Sequence, residues 1–418
     1  KGDGADAEPN DVPAPNAAPV NGNKVGLTIL AQFPDDPATP AADPINFPAS
    51  VAKMERFCNE VGYNDDGNTG SVRDYFFDQS EGALTYTMKV TEFVTLPQPR
   101  NYYNFSDYPA NTTLRDSGEA GNLLIKDAIG VLNAEGFNFD GLTVEGGDVR
   151  STNVFFAGPS SGVWSEGLWP HQWGMYREPQ QDVTVDGVTR DIHEYQITNL
   201  SNAAAEIGTF IHESGHLLLD YPDLYDTNGG STGLGRHALM SSGNFSNSEK
   251  TPSPINLYLK DVVGWANITD ILTTQYLNTT LASTGNVGYR YTNPNNANEF
   301  FVIENRGFTA GGNATDRWAQ YVPDKGIMIW HVDEGVSHNQ NEQMTAAQHY
   351  HVSLEQQDGL FELENDASGD SSDLYDNTSN AFNDASLPNA NWWSGANSGI
   401  QVKVNSSPSN LMSVEFGL

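Results

Sequence analysis

Five residues, His212-Glu213-Ser214-Gly215-His216, constrain this chain more than any other stretch. Ile207, Phe210 and Ile211 precede them and Leu217 and Leu218 follow. That apolar setting predicts a largely buried helix near 202–219. Ser201 or Asn202 can cap its start, the alanines at 203–205 favour helix, and Pro222 marks the stop. On a helix, positions i and i+4 share a face, so His212 and His216 can aim ring nitrogens at one point. A carboxylate buried between them needs a compensating partner, and a metal ion is the natural one.

This is the H-E-x-x-H arrangement of zinc peptidases. Zn²⁺ accepts imidazole nitrogen, and a catalytic site keeps one position for water. Glu213 lies beside that position and can take the proton of the attacking water. Two histidines do not complete such a site, which usually has three protein ligands. The chain leaves the helix through Asp220-Tyr221-Pro222-Asp223-Leu224-Tyr225-Asp226 and can turn back toward the metal. Asp223 is the first choice for the third ligand, with Asp220 and Asp226 as alternatives. Aspartates in such a segment otherwise form turns or solvate a helix end. Tyr225 could donate to a developing oxyanion or simply pack in the turn. Met240, in Ala238-Leu239-Met240-Ser241-Ser242-Gly243, resembles the Met-turn of metzincins, an apolar floor beneath the zinc.

Charge narrows the partners. Lys and Arg number 20 against 54 Asp and Glu, a net charge of −34. That excludes nucleic acid and anionic membrane as binding surfaces. An acidic surface suits calcium or a salty environment. The single cysteine, Cys58, forms no intrachain disulfide and reads as a small buried hydrophobe. Absence of disulfides fits a bacterial secreted protein stabilised by ions. No apolar run reaches the roughly 18 residues of a membrane span. The chain does not begin with Met and reads as a processed or truncated form.

Along the chain, 1–22 reads as an extended, Pro- and Asn-rich tail. Strands are expected at 24–33, 85–94 and 154–158, and helices at 71–80 and 123–132, ahead of the motif helix. After about 268 helical periodicity fades and short strands with Asn/Gly turns dominate, as at 299–304 and 326–332. The expected fold is α+β: a metzincin-like zinc-peptidase catalytic domain over 23–268, with a mixed sheet and the motif helix, then a β-rich, β-sandwich-like domain over 269–418.

Several pieces together resemble the secreted bacterial metallopeptidases of the immune inhibitor A type. They are His212-Glu213-Ser214-Gly215-His216, Pro222-Asp223-Leu224-Tyr225-Asp226, Leu239-Met240-Ser241-Ser242-Gly243 and Gly264-Trp265. Upstream, 71–76 and 79–85 resemble the family's helix-to-strand passage; downstream, 303–306, 326–333 and 369–370 resemble its β-rich part. The likeness runs from about residue 24 to the end. It implies a secreted zinc endopeptidase made as a precursor with an inhibitory propeptide and often stabilised by calcium. One departure stands out. The family often carries Gly three residues after the second His and Asp three beyond it, whereas here Leu219 occupies the first position and Asp223 falls one residue late.

Other clusters carry less chemistry. The loop 366–376 offers Asp370, Asp373 and Asp376 as hard oxygen ligands for Ca²⁺, or is a solvated acidic loop. Asp35-Asp36 is a weaker candidate of the same kind. His171, among aromatics, reads as a packed surface residue or a cleft liner. His331, His349 and His351 read as structural, and His237 lies close enough to Met240 in sequence to approach the active site.

The reading is therefore a zinc-dependent endopeptidase: His212, His216 and Asp223 hold Zn²⁺, Glu213 is the general base, and proteins or peptides are the substrates. A monomer is expected, its propeptide removed. The rival reading is a non-catalytic, calcium-dependent surface-binding protein, favoured by the acidity, the β-rich second half and the Asp-rich loops. A zinc hydrolase acting on a non-peptide amide is the second enzymatic rival.

Overall fold

A strand covered on both faces must be apolar along its length, and two such runs organise the first half of the chain. In the computed structural model, which describes residues 19–35, 50–104, 117–160, 167–175, 181–200, 205–272, 276–306 and 314–418, they become central strands. Gly22–Gln32 is buried from Gly26 to Ala31, and Thr152–Ala157 is buried at every position. They pair in parallel, with Leu84–Thr95 parallel to the first and Glu194–Leu200 parallel to the second. His171–Gly174 closes one edge of this five-stranded sheet in antiparallel sense. The expected helices are present as Val72–Gln79 and Ser117–Glu135.

These strands belong to a compact unit made of Asn21–Phe77 and Leu84–Leu219. In it, Val51–Asn59 forms a helix capped by the Ser50 side chain and buries Met54, Phe57 and Cys58. The motif helix, Gly208–Leu219, packs through Phe210, which stacks on Phe155 at 4.7 Å and 11°, with Phe57 edge-on to both. A polar ladder crosses the same core. Gln196 Nε2 donates to Asn153 Oδ1 at 2.6 Å and to Ser214 Oγ at 2.7 Å, and Ser214 Oγ donates to Phe210 O at 2.8 Å. Asn153 Nδ2 in turn reaches Leu27 O at 2.9 Å.

The second unit comprises Asp78–Ala83, Asp220–Leu418 and, of the described N-terminal residues, Pro19 and Val20. Its last described α-helix is Leu257–Val262, capped by the Asn256 side chain. Beyond it lie a five-stranded sheet (Asn267–Asp270, Val287–Thr292, Glu299–Asn305, Ile327–Asp333, Val352–Leu354) and a three-stranded one (Leu277–Ala282, Leu411–Gly417, Gln401–Val404). Phe301, Ile303 and Ile329 from the first share one apolar core with Leu281, Val402, Met412 and Phe416 from the second. Of the expected N-terminal tail, 1–18 lies outside the described residues; Val20 donates to Val263 O at 3.2 Å. The whole is a mixed α+β structure with several sheets and few helices. No described helix is long and apolar enough to cross a membrane.

Candidate metal centre

The motif helix starts at Gly208, later than the expected 202, and the reason lies in tertiary contacts. Asn68, 3 % exposed, grips the approach: its Nδ2 donates to Ala205 O at 2.7 Å and its Oδ1 accepts from Ile207 N–H at 3.3 Å. Ala205 N–H is also taken by Asp66 Oδ2 at 3.2 Å. These side-chain bonds replace the helical ones that alanine propensity favours. The candidate cap at 201–202 lies outside the described residues. At the other end, Arg150 donates to Leu218 O at 3.2 Å, a cation placed where the helix dipole is negative. Asp220 then takes a left-handed φ of +54°, which stops the helix ahead of Pro222.

Every residue of the helix except Thr209 is buried. His212, Glu213 and His216 are 6 %, 8 % and 9 % exposed. The two imidazoles lie 4.9 Å apart at 82°, with Nε2 facing Nε2 at 3.3 Å. Two nitrogens bound to one tetrahedral zinc at about 2.05 Å stand about 3.3 Å apart. The donor pair therefore fits a zinc ion without rearrangement. The ligand-capable atoms of His212, His216 and Asp223 all lie within 4.8 Å of one another, a possible His/Asp metal site.

The neighbouring aspartates have other work. Asp226, 6 % exposed, accepts from Asn228 N–H at 2.8 Å, Gly230 N–H at 3.1 Å and Ser231 Oγ at 2.9 Å, so it builds a turn. Asp220 is exposed at the helix end. Met240 is fully buried, and its carbonyl accepts from Leu224 N–H at 2.7 Å. Its turn is closed by Gly243 N–H donating to Ala238 O at 3.1 Å. The bond from Leu224 ties Met240 to the stretch carrying Asp223.

The acidic loop is arranged differently from its sequence reading. Asp370 and Asp373 come within 4.8 Å of each other and of Asp358, which the sequence reading did not include. Asp373 is fully buried; its Oδ2 accepts from His237 Nε2 at 2.9 Å and from Asp370 N–H at 2.7 Å. Asp376 accepts from Thr378 N–H and Oγ1 at 2.7 and 2.6 Å, a local turn. Asp35 accepts from Arg100 N–H at 2.8 Å, and Asp36 lies outside the described residues.

His171 is 4 % exposed, so it is not a surface residue. Burial pushes its pKa down to about 4, and Trp169 O holds Nδ1 at 2.6 Å. His331 and His349 both stack on Trp393, at 4.7 and 4.3 Å, and both pair with carboxylates. His351 meets Tyr258 OH at 3.0 Å. All three are held by neighbouring side chains.

Residues 157–264 match the family model described as immune inhibitor A peptidase M6, catalytic domain. The match covers the motif helix, Asp223 and the Met240 turn, and it ends at Gly264. The family resemblance read from the motifs therefore stands, and a peptidase domain is present. No curated protein matches the chain.

Proposed function

We propose that this chain is a secreted zinc endopeptidase in which His212, His216 and Asp223 hold the metal and Glu213 is the general base. The observation that carries the reading is the 3.3 Å separation of the two imidazole Nε2 atoms on consecutive turns of a buried helix, inside a peptidase-family segment. The group of His212, His216 and Asp223 supports Asp223 as third ligand, since Asp226 is committed to its turn. When bound, zinc supplies an electrophilic centre that polarises the scissile carbonyl and brings the pKa of water toward about 7.

The chain's own residues do the rest. His212 and His216 present their ring nitrogens to the metal, their spacing fixed by the helix. Glu213 takes a proton from the attacking water and hands it to the departing amine. No covalent acyl intermediate is required. Met240 forms an apolar floor. The mixed sheet with an antiparallel edge strand, His171–Gly174, supports the metzincin-like reading. We assign the catalytic part to 23–268 and the β-rich part to 269–418 on the family match ending at 264, while the compact units themselves divide at Leu219/Asp220. The substrates are proteins or peptides, the product of precursor processing acts as a monomer outside the cell, and the loop bearing Asp370, Asp373 and Asp376 takes structural Ca²⁺. Casein digestion in the presence of a zinc-selective chelator tests the reading. Cleavage that stops and returns with zinc is expected; a protein that holds calcium and never cleaves supports the binding-protein alternative instead.

A further inference from the structure

A small cavity lies among Gln79, Leu257, Lys260, Asn286, Glu304 and Arg306, with a volume of about 30 Å³. Its charges do not cancel. Lys260 and Arg306 are 7 % and 6 % exposed, and among the described residues Glu304 is the one carboxylate lining the cavity with them. Glu304 is already fully engaged. Its Oε1 accepts from Leu257 N–H at 3.0 Å and Trp330 Nε1 at 2.6 Å, and its Oε2 accepts from Arg306 Nη2 at 3.0 Å. Lys260 Nζ reaches the Asn286 amide oxygen at 2.8 Å, an uncharged acceptor. Arg306 Nε is buried and has no hydrogen-bond partner among the described residues. The exposed Glu81 acts on Lys260 only through its field, and its carboxylate accepts from Gly285 N–H.

A buried positive surplus with an orphan N–H is costly unless an acceptor of opposite charge fills the space. Burial, and after it the Arg306 charge, push the Lys260 ammonium down to about 8, which is the mark of a site short of negative charge. Water would fit but brings no charge to offset the surplus. The space is large enough to admit a monovalent anion.

We propose that this cavity binds a halide ion, chloride in ordinary buffers, between Lys260 Nζ and Arg306 Nε. The ion accepts the spare donors of both side chains and balances their charge. It braces the junction between Leu257–Val262, which carries Lys260, and the end of Glu299–Asn305, beyond which Arg306 follows.

Bromide is the probe. Crystals of the full chain soaked in bromide should show an anomalous peak in this cavity within hydrogen-bond reach of both nitrogens. Thermal melting at pH 7 and constant ionic strength should rise by several degrees, saturably, as gluconate is replaced with chloride or bromide. Lys260→Met, which removes the surplus charge, should lose that halide response. The proposal is overturned if soaked crystals hold only water in the cavity. It is equally overturned if chloride and gluconate give the same melting curve, or if Lys260→Met keeps the full response. Should the variant not fold, the bromide map of the unaltered protein decides alone.

Discussion

Gln196→Leu tests whether the polar ladder beneath the motif helix holds that helix in place. Gln196 Nε2 makes two bonds, at 2.6 Å to Asn153 Oδ1 and 2.7 Å to Ser214 Oγ. Leucine removes both, at about 1 kcal/mol each. Asn153 is fully buried, so its Oδ1 is left without a donor, a further loss of about 1–3 kcal/mol. Against this, Gln196 Oε1 has no partner in the folded chain, and deleting it returns a similar amount. The orphan contributions offset each other, and a loss of about 2 kcal/mol remains. Ser214→Ala alone should lose about 1 kcal/mol, since it gives up the Gln196 bond and a weak one to Phe210 O. If the two residues act together, the double variant is less destabilised than the sum by about 1 kcal/mol. Urea unfolding of the four proteins measures this directly. Additivity within about 0.3 kcal/mol, or a Gln196→Leu loss below about 0.5 kcal/mol, would refute the reasoning.

Three further outcomes are expected. Glu213→Ala should keep stoichiometric zinc by metal analysis and lose casein cleavage by at least about 10²-fold; an active, zinc-loaded variant sinks its role as base. Asp223→Ala should lose zinc while Asp220→Ala and Asp226→Ala retain it, with Asp226→Ala less stable because three donors lose their acceptor; retention of zinc by Asp223→Ala would move the third ligand elsewhere. Burial raises the Glu364 carboxyl from 4.5 to about 7, so the folded chain holds that proton more tightly than the unfolded one. Its contribution to stability is fully present below about pH 4 and is lost as pH rises through about 7. Glu364→Gln should therefore gain roughly 2–3 kcal/mol at pH 8 and little at pH 4. An equal difference at both pH values in urea unfolding would contradict that assignment.

Local patterns were legible and long-range ones were not. The strands Gly22–Gln32 and Thr152–Ala157 and the motif helix announce themselves because apolar periodicity is written within a few residues. So is the His212–His216 face, since helical geometry alone brings the pair together. The helix start was misread because Asn68, far upstream, captures Ala205 and Ile207. Asp358 was missed because nothing in its spacing to Asp370 and Asp373 marks it; a chain reversal delivers it. The bond of His237 Nε2 to Asp373, 136 residues later, is equally beyond any local pattern. The meeting of Lys260 with Glu304 and Arg306 is likewise a product of tertiary packing, the Leu257–Val262 helix against the end of Glu299–Asn305, which no local window contains.

Cys58 gives the first unit a built-in clock. It is the one thiol among 418 residues, it has no exposed surface, and burial raises its pKa far above the usual range. Thiol reagents attack the thiolate, so they cannot react until the Val51–Asn59 helix lifts from its core. The labelling rate in native buffer therefore times the opening of the core around that helix.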